Sequence, residues 1–260
     1  MKLKVLVDNN TFIDKYYFGE PAVSYYIEDA DSKILFDVGY SDLFIQNASA
    51  LEIDLRNTTD IVISHGHDDH TGGLKHFFEQ FSIPDIRITA HPMAFDEKMI
   101  GEASISSPLS AVQLAKKAKL TLSDKPVKVS ENIYFLGQIP PMNDFEERRP
   151  VGEDYLYDDS AIVFKSVKGL YIITGCSHSG ICNIIEYSKQ VCDDEKIAGV
   201  IGGFHLFDVD LRVKKTIEYF LKNNIDELYP CHCVSFQVKA EISKYAPVNE
   251  VGVSMELEWI

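Results

Sequence analysis

Short apolar runs separated by turn residues dominate the chain, and their lengths predict strands joined by brief helices. Lys2–Val7, residues 22–27 and residues 34–38 read as the first strands, followed by 61–64 and 85–90. Leu74, Phe77, Phe78 and Phe81 recur at helical spacing and predict an amphipathic helix over 74–81. Residues 108–119 read as a second helix, with Pro108 suited to its first turn and Lys116, Lys117 and Lys119 to its last. In the second half, 127–129, 133–136, 161–167 and 170–174 are expected strands, and 183–191 an expected helix. Residues 197–201 predict a strand, 213–222 a helix, 227–229 a short strand and 252–260 an edge. Two mixed sheets packed face to face, with helices outside, satisfy this order and predict an α/β fold. No low-complexity linker or internal repeat interrupts residues 1–260, which read as one domain.

One polar segment interrupts the pattern. His65-Gly66-His67-Asp68-Asp69-His70 places three imidazoles and two carboxylates directly after the apolar run at 61–64. Buried without a metal, such a cluster would leave polar groups unpaired. Imidazole and carboxylate are ligands for zinc, iron and manganese. In extended chain, i and i+2 point the same way, so His65 and His67 can chelate one ion, while Asp69 and His70 beyond the bend can face a second. Asp68 is expected to turn away and hydrogen-bond a ligating histidine.

The other histidines follow a rule. His178, His205 and His232 each stand a few residues after an apolar run, as His65 does. Strand ends lining a common edge would bring these loops together, a sound way to preorganise a metal site. His76, on the helix after the cluster, and His91, at another strand end, are expected to be structural. The charged segment 144–149 reads as a solvated loop.

Bulk properties narrow the function. The chain has 260 residues, 45% of them hydrophobic, enough for a substantial core. Its net charge of −15 disfavours a nucleic-acid-binding surface, since lysines and arginines would have to neutralise phosphates. A small anionic substrate stays compatible, because bound metal inverts the local potential. No apolar run is long enough for a membrane span or a signal peptide, so a cytoplasmic location is expected, with no membrane partner. The five cysteines suggest no disulfide framework, and Cys182 and Cys192 read as small buried hydrophobes.

Ser64-His65-Gly66-His67-Asp68-Asp69-His70-Thr71-Gly72-Gly73 resembles the His-X-His-X-Asp-His signature of the metallo-β-lactamase superfamily. Leu35-Phe36-Asp37-Val38-Gly39 looks like that superfamily's strand before the motif. Gly175-Cys176-Ser177-His178-Ser179-Gly180-Ile181, Gly202-Gly203-Phe204-His205-Leu206 and Pro230-Cys231-His232-Cys233 resemble one subgroup, which includes archaeal ribofuranosylaminobenzene phosphate synthases of methanopterin biosynthesis. The resemblance implies an αββα four-layer sandwich of two mixed β-sheets flanked by helices, with a two-metal site at one edge. By motif match, His65 and His67 would bind the first ion, Asp69 and His70 the second, and His232 would be the final histidine ligand. His178 lies where the superfamily usually has a bridging aspartate. The usual histidine about twenty residues earlier is missing from 153–160, and His178, Asp159 and Cys176 are the candidates to replace it. Glu20-Pro21-Ala22-Val23-Ser24 departs from the Glu-His-Gly common in the subgroup, so specificity can differ if that loop touches substrate.

Two divalent ions are therefore expected, zinc first, with iron or manganese as alternatives. The expected activity is metal-assisted hydrolysis or transfer on a small phosphorylated or ester substrate, with Asp69 and His205 as catalytic residues. The synthase reaction is the alternative, and a non-catalytic metal or ligand sensor, favoured by the missing histidine, is the third reading.

Overall fold

The computed structural model describes residues 1–148 and 150–260; Arg149, in the charged loop, lies outside the described residues. The first half builds β1 (Lys2–Val7), β2 (Ser24–Asp29), β3 (Ser32–Phe36), α1 (Leu43–Ala50), β4 (Asp60–Val62), α2 (Asp68–Thr71), α3 (Gly73–Gln80) and β5 (Arg87–Ala90). A two-stranded ribbon follows, β6 (Met99–Ile100) and β7 (Ala103–Ser104), then α4 (Ala111–Leu114) and β8 (Lys119–Leu122). The second half contains β9 (Val127–Lys128), β10 (Ile133–Phe135), β11 (Ala161–Ser166), β12 (Gly169–Thr174), α5 (Ile181–Cys192), β13 (Ile197–Gly202), α6 (Leu211–Lys222), β14 (Glu227–Pro230), α7 (Phe236–Ile242) and β15 (Glu256–Glu258).

Seven strands form one sheet in the order β15-β1-β2-β3-β4-β5-β8, and six form the other in the order β14-β13-β12-β11-β10-β9. Both are mixed: β3, β4, β5 and β8 run parallel, as do β12, β13 and β14. Leu3, Tyr25, Ile34 and Phe36 of the first sheet meet Phe135, Ile162, Tyr171 and Ile201 of the second in a buried layer. Phe44, Leu74 and Phe77 cover the outer face of the first sheet, while Ile181, Ile185, Val213, Phe220 and Ile242 cover that of the second. Each fully buried side chain of this size contributes about 1.5–3 kcal/mol. The result is the four-layer αββα sandwich that the pattern and the resemblance imply.

The expected helix over 108–119 is shorter than predicted. Ser110 and Gln113 form a capping box that starts α4 at Ala111, only Leu114 of the helix is buried, and Lys119–Leu122 leaves as a parallel edge strand on β5. The segment 144–149 is not simply solvated. Glu146 is buried and accepts from Cys182 N and Asn183 N at the start of α5. Arg148 donates to the carbonyls of Leu156 and Ile139.

The parallel strands place the chemistry. β4 runs into the loop before α2, and β12, β13 and β14 exit at Thr174, Gly202 and Pro230. Gly203 N donates to Gly175 O at 2.8 Å and Cys231 N to Gly202 O at 2.9 Å, tying neighbouring exits together.

Candidate metal centre

The histidine cluster is held rigidly. Gly66 sits so close to Ala94 that a Cβ would lie 2.0 Å from its carbonyl oxygen, so only glycine fits between His65 and His67. Gly66 N donates to Asp158 Oδ2 at 2.8 Å. Fully buried Asp37 accepts from Ser64 N and Ser64 Oγ, each at 2.7 Å, and from His70 Nδ1 at 2.7 Å. Ser64 Oγ spends its proton on Asp37, so His65 Nδ1, 3.0 Å away, donates to it. His232 Nδ1 lies 3.1 Å from Asn9 Oδ1. In His65, His70 and His232 one ring nitrogen is thus held, which orients the other.

Three groups of donors result, two of them built on the histidine cluster. His65, His67 and His178 bring ligand atoms within 4.8 Å of one another, and so do Asp69, His70, Cys176 and His232. In the second group Asp69 Oδ2 lies 3.4 Å from His70 Nε2 and 3.3 Å from His232 Nε2, and Cys176 Sγ lies 3.3 Å from His70 Nε2. His65 Nε2, His67 Nε2 and both nitrogens of His178 are buried without a hydrogen-bond partner among the described residues. Unpaired buried donors are costly. A divalent cation fits them, since imidazole, carboxylate and thiolate are its normal ligands.

The electrostatics of the His65–His67–His178 group agree with that fit, while His70 must give up a proton to ligate. Burial and the neighbouring imidazoles push His65 and His178 well below the ordinary histidine range, leaving neutral rings ready to ligate. Burial also opposes charge on His70, yet Asp69 and Asp37 outweigh it and hold His70 well above that range. Burial opposes the Asp69 carboxylate too, but His70 and His232 keep it ionised.

Most predicted site residues meet at one place. His67, Asp69, His178, His205 and His232 line a cavity of about 440 Å³, while His65 and His70 lie buried beneath it. His178 stands with His65 and His67. Cys176, two residues earlier, joins Asp69, His70 and His232, although the resemblance put His178 at the bridging position. Asp159 is in neither group; its Oδ2 accepts from Ser179 N at 2.7 Å and fixes the loop after His178. Asp68, expected to turn away, lines the cavity instead, and its backbone N–H donates to Ile105 O at 2.9 Å. Pro21 also lines it, so the divergent loop at 20–24 does face the pocket.

The structural readings hold for the remaining residues. His76 is partly exposed on α3, 3.8 Å from Glu79. His91 is buried, and its Nδ1 accepts from Met93 N. Cys182 and Cys192 are buried.

Three features were not anticipated. Cys233 lines the cavity beside His205. Lys98 is buried, 2.8 Å from Asp154 and 3.2 Å from Asp158, and Asp154 in turn lies 3.4 Å from His67 Nε2. Arg212, also buried, borders a side cavity of about 80 Å³ that shares His205 and Phe207 with the main one. Its Nε and Nη2 have no partner among the described residues. Lys98 and Arg212 are single charged residues outside the quoted motifs and carry no pattern to separate them from ordinary surface charge, whereas Cys233 stands inside the Pro230–Cys233 motif beside His232. Asp37, Ser177, His205 and His232 all adopt left-handed backbone, with φ of 54°, 56°, 50° and 50°.

Comparison with known proteins agrees with this architecture. A 251-residue match at 33% identity, over 93% of this chain and 94% of the relative, is to an uncharacterized protein of Methanocaldococcus jannaschii. The 7,8-dihydropterin-6-methyl-4-(β-D-ribofuranosyl)-aminobenzene-5'-phosphate synthase of the same organism is 28% identical, over 92% of this chain and 89% of its own length. The crystal structure of Tm1679, described as a metal-dependent hydrolase of the β-lactamase superfamily, superposes with a TM-score of 0.84 at 26% identity, covering 100% of this chain and 99% of that one. The family model for the metallo-beta-lactamase superfamily matches residues 17–189. With that match spanning most of the chain and the donor groups seated at the sheet edge, the protein belongs to the metallo-β-lactamase superfamily.

Proposed function

We propose that the chain, acting as one unit over residues 1–260, is a metal-dependent hydrolase of small ester or phosphoester substrates. In this reading His65, His67 and His178 hold one divalent ion, and Asp69, His70, Cys176 and His232 a second, both of the zinc class. The observation that carries it is the pair of donor groups at one cavity of about 440 Å³, the first of them with buried ring nitrogens that have no partner among the described residues. Divalent ions held by these residues would supply Lewis acidity for a substrate oxygen and a bound water.

The chain's own groups do the rest. Asp69, ionised and held between His70 and His232, accepts a hydrogen bond from the nucleophile and orients it. His205 faces the cavity from the β13 exit and contacts the substrate or hands a proton to the leaving group. The sensor reading rested on the absence of a histidine in 153–160. His178 stands as a third imidazole beside His65 and His67, which supports the hydrolase over the sensor.

A second reading, synthesis of the product named for the 28%-identical relative, is supported by that likeness over most of both chains. The test is metal analysis together with turnover on a chromogenic phosphodiester, a phosphomonoester, a lactone and the synthase substrates. Two ions bound and hydrolysis lost in His67→Ala support the hydrolase. Turnover confined to the synthase substrates supports the second reading, and two ions bound with no turnover at all would reject catalysis.

A further inference from the structure

Cys233 has no role in either donor group, yet its sulfur is placed with care. Cys176 Sγ, a His205 ring nitrogen and Cys233 Sγ all lie within 4.8 Å of one another. We propose that these three residues form an additional cation seat, selective for a thiophilic divalent ion of the zinc and cadmium class, which shares the Cys176 sulfur with the Asp69–His70–His232 group.

Several observations support the seat. His205 Nδ1 is buried without a partner among the described residues. Gly203 makes room for the thiol: a Cβ there would lie 2.4 Å from Cys233 Sγ and 2.6 Å from Gly175 O. The three strand exits are locked together. Ser177 Oγ donates to Gly203 O at 2.7 Å, Leu206 N to Cys233 O at 3.3 Å, and Ser235 N to Leu206 O at 3.0 Å. The donors are therefore preorganised by backbone rather than gathered from flexible loops. Two thiolates and one imidazole form a known zinc set that leaves a fourth position open, and soft sulfur disfavours manganese or magnesium. All three residues line the cavity, so the open position faces the substrate space.

One consequence rests on the proposed hydrolase. An ion in this seat occupies the imidazole that His205 otherwise offers to substrate, so loading beyond two equivalents inhibits turnover.

The experiment is titration of the metal-free protein with Cd²⁺, followed by equilibrium dialysis and by thiolate-to-cadmium ultraviolet absorption, with Mn²⁺ as the hard-ion control. Wild type is expected to bind three equivalents of Cd²⁺ but two of Mn²⁺. Cys233→Ser and Cys233→Ala, each checked for native circular dichroism, are expected to bind two equivalents of Cd²⁺ and to lose the absorption owed to Cys233. Equal Cd²⁺ counts and equal absorption in wild type and both variants overturn the additional seat; a shared count of two leaves the proposed hydrolase standing. A count of zero in wild type overturns both.

Discussion

Asp37 lies below the cavity, yet it receives three hydrogen bonds and orients His70. Asp37→Asn keeps the size of the side chain but loses the carboxylate that fixes the His70 ring. Metal affinity is expected to fall about 10–100-fold, as for other partners that orient a ligand. Competition with a chromogenic chelator reads this directly, and an unchanged affinity would refute the role given to Asp37. The buried imidazoles also predict a pH response. His65 and His178 are pushed below the ordinary histidine value of about 6.5, so the unfolded chain binds more protons than the folded one as pH falls through that value. Metal-free protein should thus lose stability below about pH 6.5, by up to about 1.4 kcal/mol per pH unit for each ring. His70, raised instead, gains stability as pH falls from 7 through about 6.5 and offsets part of the loss there, but adds nothing further well below that value, where both states are protonated. Urea melts between pH 7 and 5 test this; a flat profile contradicts it.

At the scale of elements, legibility followed the source of each element's stability. β1, α3, β12, α5, β13 and α6 bury a continuous face, and their apolar patterns gave them away to within a few residues. α1 and α7 span eight and seven residues and carry little periodicity, so only tertiary packing defines them. β8 is an edge strand whose side chains are mostly exposed; its backbone pairing with β5 left no apolar signature. The site was legible where it is local, at residues 65–70. Its division between two ions was legible there too, but the sorting of Cys176 and His178 between them was not. Cys176 and His178 would face the same way in extended chain, but Ser177 turns through left-handed backbone and sends them to different groups. The same dependence on close approach gives a mutational test. Gly66→Ala forces a methyl against Ala94 and is expected to cost at least about 1–3 kcal/mol. The measurement is the urea midpoint at unchanged slope, and an undiminished midpoint would show that the loop yields.

Across the whole molecule, the donors come from both sheets. His65, His67, Asp69 and His70 follow β4, while Cys176, His178 and His232 follow β12 and β14. In the proposed centre each ion therefore ties one sheet to the other. Chelation should loosen the sandwich as well as stop turnover. At free metal about a thousandfold above its dissociation constant, binding adds about 4 kcal/mol, which for a chain of this size corresponds to a Tm on the order of 10 °C higher than in EDTA. Calorimetry with and without chelator checks this, and identical melting curves would argue against ions that span the two sheets.

The left-handed residues at the strand exits carry one more consequence. His205 and His232 hold a backbone shape that glycine adopts freely and a histidine adopts at a cost of about 1–2 kcal/mol. Stability and chemistry therefore pull against each other at these two positions. A library randomised at 205 and 232, and selected without metal for heat resistance alone, should drift toward glycine and asparagine. The survivors would be sturdier proteins with a poorer grip on metal, and persistence of histidine under that selection would show that the fold itself, rather than its chemistry, requires the imidazoles.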